Sequence, residues 1–158
     1  LTPEKFLEYA TPYIRESVKR EDVDLSKISA LLQNRTEVFT DIPEQVDFID
    51  EMPNYDLALY ENKKMKTNCD TALDALTRSL PVMEAIEDWR FDVLHDALFK
   101  LIADMGVKNG YVLWPVRVAI SGKQFTPGGA FEIAEIIGKD DTIARMKRSI
   151  EMLKNRAN

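Results

Sequence analysis

One cysteine and one histidine are present among 158 residues. A lone Cys69 cannot form an intramolecular disulfide, and it points to a reducing, cytoplasmic compartment. A lone His95 leaves a His/Cys metal centre short of ligands. No apolar run approaches the roughly 20 residues that a membrane-spanning helix needs. The polar, acidic start from Leu1 to Glu8 does not have the form of a signal peptide. The chain also lacks a Walker-type phosphate loop, a GxGxxG fingerprint and a nucleophile elbow. β-Alternation and internal repeats are missing as well. With these absences no independent enzyme is visible; a small carboxylate enzyme using Glu132 and Glu135 has no supporting nucleophile or metal set.

What is present describes an ordinary globular chain, 45% hydrophobic and 30% charged. Its length fits one mid-sized domain or two small ones, with enough core to fold without a staple. It opens on Leu1 rather than Met, so the expectation is a piece of a longer protein. The net charge of −6 argues against a general nucleic-acid binder and against DNA as a partner. The charge is unevenly spread, however. Residues 36–62 hold eight acids and no Lys or Arg, whereas residues 106–158 hold nine bases and five acids.

The apolar period is helical nearly throughout. Phe6, Tyr9, Tyr13 and Ile14 share a face behind Thr2-Pro3-Glu4, a helix-start signal. Ile28, Leu31, Leu32, Val38 and Phe39 continue the pattern after Ser26. Asp41-Ile42-Pro43-Glu44 starts a short helix, and Pro53-Asn54-Tyr55 breaks it. The stretch to Lys66 reads as a linker or exposed turn. A second group starts near Asn68 or Asp70, with Leu73, Leu76 and Leu80. Pro81 is expected to begin a new helix bearing Val82, Ile86 and Trp89. Phe91, Leu94, Leu98, Leu101, Ile102 and Met105 form the longest apolar face, stopped by Gly106 as C-cap. Ile143, Met146, Ile150 and Leu153 make the last helix, with Asp140 or Asp141 as N-cap. The fold class is all-α.

All six glycines fall between residues 106 and 138. Turns there can aim groups at a ligand, or can simply cap short helices. Asp92 and His95 share a helix face, but a local hydrogen bond explains His95 without a metal. Glu132 and Glu135 lie near a helix start, where acids are favoured by the dipole. Gly128-Gly129 can offer backbone amides to an anion, as can many helix starts. The richest segment runs from Trp114-Pro115-Val116-Arg117 through Ser121-Gly122-Lys123-Gln124-Phe125-Thr126-Pro127-Gly128-Gly129-Ala130-Phe131. It combines aromatics, cations, hydroxyls and a rigid Pro-Gly turn, the materials with which unstacked RNA bases are held. The bland alternative makes Trp114 and Phe131 core residues and Arg117 a surface charge.

The run Val112–Gly122 followed by Thr126–Ile133 resembles the carboxy-terminal anticodon-binding region of bacterial glutamyl-tRNA synthetases. Leu31-Leu32-Gln33-Asn34-Arg35 and Ile42-Pro43-Glu44-Gln45-Val46 resemble the preceding helical subdomain of the same family. The resemblance implies two small helical subdomains, residues 1–67 and 68–158, caging an anticodon loop. It implies that Arg117, Thr126 and Pro127 meet the first two anticodon bases, with Phe131 at a nearby aromatic position. Arg35 matches an arginine tied to the third base, and Lys123 joins the set as a second cation of the loop. The partners implied are the tRNA(Glu) anticodon loop and a catalytic domain of the same chain. ATP and magnesium belong to that domain, and no cofactor is expected in this segment. The acidic stretch is expected to face away from RNA. The rival reading is a helical protein-interaction module whose Trp114 and Phe131 anchor a partner helix.

Overall fold

A computed structural model describes residues 1–156; the last two residues of the segment 68–158 lie outside it. Among the described residues there are eight α-helices and no extended strand. They are α1 (Pro3–Ser17), α2 (Leu25–Gln33), α3 (Ile42–Val46), α4 (Cys69–Glu84), α5 (Phe91–Met105), α6 (Asn109–Ser121), α7 (Ala130–Ile137) and α8 (Lys139–Lys154). The all-α reading holds. Among the described residues no helix is long and apolar enough to cross a membrane.

Local chemistry sets the helix ends. The Thr2 hydroxyl accepts from the Lys5 amide with Pro3 in the first turn, so α1 starts where its cap residues stand. Asn68 and Thr71 close a capping box at the start of α4. Gly106, at φ 68°, stops α5 in the left-handed conformation.

Three expectations need correction. Pro81 does not begin a helix but lies inside α4, which runs on to Glu84. A proline this near a C-terminus removes one backbone bond, and packing of α4 on its neighbours outweighs that loss. Val38 and Phe39 do not extend α2; Val38 is exposed, and Phe39 sits in a 3-10 turn against Phe6, Tyr9 and Tyr13. The cap of α8 is Gly138, with Asp140 and Asp141 in the first turn, where acids still favour the helix dipole. The run Trp114-Pro115-Val116-Arg117 lies within one helix, α6, despite its proline.

Helix α1 packs on α2 and α3, while α4, α6 and α8 pack together with α5 and α7 alongside. Two arginines join these groups. Arg145 on α8, only 5% exposed, donates to the carbonyls of Phe48, Ile49 and Ile120 and to Asp141. Arg20, following α1, donates to the Ile49 and Ile137 carbonyls and to the same Asp141. The carboxylate of Asp50 accepts the Lys19 and Arg20 amides beside them. The joint is therefore specified by charged hydrogen bonds to backbone carbonyls as well as by apolar packing.

Gly122 marks a close approach behind this joint. At φ 67° it is left-handed, and a Cβ there would lie 3.2 Å from the Pro53 carbonyl oxygen. Gly122→Ala is expected to cost about 1–2 kcal/mol, read as a lower thermal midpoint.

Candidate nucleic-acid interface

The site is built on the turn between α6 and α7. Arg117 leaves the last turns of α6 and faces the returning loop. Its Nη1 donates to the Thr126 hydroxyl at 3.0 Å and to the Lys123 carbonyl at 3.4 Å, and its Nη2 donates to the Gln124 carbonyl at 2.7 Å. The Thr126 hydroxyl in turn donates to the Gly128 carbonyl at 2.8 Å. The other side of the guanidinium lies over Trp114, 4.7 Å from the ring centroid. Trp114 is fixed by donation from its Nε1 to the Leu59 carbonyl. Arg117 thus holds the shape of residues 123–126 and leaves little of its fork for a ligand.

Arg35, just beyond α2, reaches the same loop from the other helix group. Its Nη1 donates to the Thr126 carbonyl, and the rest of its exposed fork has no partner within the described residues. Two guanidiniums therefore converge on Thr126. Neither has a carboxylate within ion-pair distance among the described residues. Burial, and after it the like charge of Arg35, pushes the Arg117 pKa below the ordinary guanidinium value. This leaves an uncompensated positive field at the mouth of the loop, suited to an anion.

The remaining candidates divide by exposure. Thr126 and Pro127 are buried, so their side chains shape the loop from within. Pro127 packs towards Ile28, Leu31 and Val46. Lys123 is already engaged: its Nζ donates to the Glu44 carbonyl and pairs with Asp47. The acidic stretch does not wholly face away, since Asp47 meets this loop and neutralises its lysine. Phe131 is 8% exposed and packs with Phe91, His95 and Phe99. His95 also meets Asp96, at 3.2 Å. Glu132 accepts the Gly129 amide, and Glu135 accepts the Phe91 amide and pairs with Lys27. Both glutamates serve the fold.

Beside the loop lies an open groove of about 520 Å³, its wall formed by Trp114, Arg117, Gly128, Gly129 and Phe131 and completed by Asn109 and Gly110. Its surface is mostly apolar with a cation at one end, which suits a flat heteroaromatic ring next to a phosphate. Sequence reasoning missed Met65, Asn109 and Gly110, because their place on this wall depends on how α6 meets the 62–67 turn. It included Phe125 in the aromatic-rich segment without singling it out, and the ring stands 74% exposed on the loop.

The family model for an anticodon binding domain matches residues 5–150. The chain is 54% identical to the glutamate–tRNA ligase of Clostridium tetani over 155 residues, covering 98% of this chain and 32% of that protein. It is also 54% identical to the glutamate–tRNA ligase of Clostridium acetobutylicum, covering 97% of this chain and 32% of the relative. The chain therefore spans less than two-thirds of the length of these curated relatives. The crystal structure of a glutamate tRNA ligase from Elizabethkingia meningosepticum shares the fold, with a TM-score of 0.76 at 21% identity over 97% of this chain and 30% of that one. Helical architecture, the arginine-bound loop and the match over residues 5–150 agree: this chain belongs to the anticodon-binding domain family.

Proposed function

We propose that the chain binds the anticodon loop of tRNA(Glu) as part of a glutamate–tRNA ligase. The observation that carries this reading is the convergence of Arg35 and Arg117 on Thr126 beside an apolar groove. The first two anticodon bases enter the groove walled by Trp114, Gly128 and Phe131. Arg117, Thr126 and Pro127 hold its rim in shape, and Lys123 ties that rim to α3. Two helical subdomains, residues 1–67 and 68–158, form the cage, and the arginine joint fixes their relation. Ligation of glutamate with ATP and magnesium falls to the catalytic domain of the same protein, in the cytoplasm. This chain contributes binding and base choice.

Arg35 reads the third base. Cytosine presents O2 and N3 as acceptors on its pairing edge, and an arginine fork supplies matching donors. Guanine presents donors at N1 and N2, which leave the cation unpaired. A good base contact discriminates by about 1–3 kcal/mol. Arg35→Gln is accordingly expected to reduce the preference for a C-ending over a G-ending anticodon by about tenfold. Competition binding with the two stem-loops checks this, and unchanged selectivity would remove Arg35 from the site.

The protein-interaction reading lacks its anchors. Phe131 is packed among three other rings, and Trp114 is pinned by its N–H to Leu59 and covered by Arg117.

A further inference from the structure

We infer that Phe125 is a stacking platform for one unpaired nucleobase of the bound RNA loop; this inference rests on the RNA-binding function proposed above. Phe125 is 74% exposed, an uncommon position for a phenylalanine, and it stands directly before the buried Thr126 and Pro127. The residues on either side of it are held, not free. Arg117 Nη2 takes the carbonyl of Gln124, and Arg35 Nη1 takes the carbonyl of Thr126. Thr126 itself is buried, with its hydroxyl bonded to Arg117 and to the Gly128 carbonyl.

With Gln124 and Thr126 both held, the exposed ring projects from a backbone that is braced before any ligand arrives. An exposed aromatic on a rigid support loses little conformational entropy on binding, which is the condition for an effective stacking surface. Exposure here gains the fold nothing, because among the described residues the ring makes none of the aromatic pairings that join Phe91 and Phe99 on α5 to Phe131 on α7.

The charges nearby select the class of ligand. Both guanidiniums flanking Phe125 lack carboxylate partners among the described residues, while the acids that meet the loop are engaged elsewhere, Asp47 with Lys123 and Glu132 with the Gly129 amide. A flat ring between two uncompensated cations suits a nucleobase and its phosphates better than an apolar protein side chain. Stacking tolerates any base, because every base has a π-face, so Phe125 adds affinity and loop shape while Arg35 adds choice.

The test uses this chain with a fluorescein-labelled anticodon stem-loop of tRNA(Glu), and with versions in which each loop base in turn is abasic. Phe125→Ala is expected to lower affinity about tenfold, the scale of one lost base stack, and to leave the melting temperature unchanged because the ring is exposed. Phe125→Trp is expected to keep the affinity, its added indole emission being quenched by the RNA. One abasic position should weaken the original chain by the same factor and leave Phe125→Ala unaffected. Tight binding of the stem-loop with no loss in Phe125→Ala would overturn the stacking role while leaving the RNA function standing. Failure of the unsubstituted chain to bind any stem-loop would overturn that function and this inference with it.

Discussion

Arg117→Ala is expected to weaken binding of the anticodon stem-loop by about a hundredfold, the equivalent of one or two charge-assisted hydrogen bonds and the loop they hold. Arg117 engages two carbonyls and a hydroxyl of the α6–α7 turn while lying over Trp114. Without it, Thr126 keeps its bond to Gly128, but residues 123–125 lose their inward anchor. Arg117→Lys separates shape from charge. An ammonium retains the positive field but cannot span the three acceptors or lie flat on the indole, so it should restore only a minor part of the affinity. Salt titration gives a second readout. If Arg117 also attracts phosphate, the slope of log affinity against log salt should drop by about 0.7 in Arg117→Ala and recover in Arg117→Lys. An unchanged affinity in Arg117→Ala would mean that the turn needs no arginine to present its groove.

The largest effect on stability belongs to Arg145. Its side chain is nearly inaccessible, and it satisfies three backbone carbonyls from two separate parts of the chain together with Asp141. Replacing it with leucine takes the arginine donors from the Phe48 and Ile120 carbonyls and leaves the Ile49 carbonyl and Asp141 with Arg20 alone. The expected cost is about 3–5 kcal/mol, typical of removing one member of a buried ion pair. For a chain of this size that corresponds to a fall of roughly 10 °C in the thermal midpoint. Arg145→Lys should recover only part of it, since one ammonium cannot donate along the directions of a fork. The joint also governs where Arg35 stands relative to Thr126. Below the melting transition, Arg145→Leu should therefore erode the choice between C and G more than it erodes total affinity. Equal melting of the variant and the original chain would show that apolar packing alone holds the helix groups together.

Helix class and many helix limits were legible because their causes are local. Thr2-Pro3, Asn68 with Thr71, and Gly106 each act within one turn of the chain, and a one-dimensional pattern records them. Pro81 misled for the converse reason. Its own chemistry disfavours a helix interior, but packing of α4 against α6 and α8 outweighs one missing bond. The arginine joint could not be read at all: Arg20 and Asp141 are 121 positions apart, and the partners of Arg145 include carbonyls, which carry no residue signature. The same limit applied to Tyr55, whose hydroxyl donates to Ser149 and so must accept from Tyr60.

The interface was partly legible. Sequence reasoning brought out Arg35, Arg117 and Thr126, and the structure unites them in one hydrogen-bonded network. It did not show that Arg117 is spent on the loop and Lys123 on Asp47, because side-chain direction depends on the turn conformation. Nor did it separate Phe125 from Phe131. The two have the same chemistry, and only tertiary structure leaves one at 74% exposure and the other at 8%.

The central claim is that this chain distinguishes an anticodon loop by its third base. Titration at low salt with a tRNA(Glu) anticodon stem-loop, beside the same loop carrying G in place of the third-position C, tests it most directly. The account predicts tighter binding of the C-ending loop by about tenfold. Equal affinity for the two loops, or no binding of either, would contradict it.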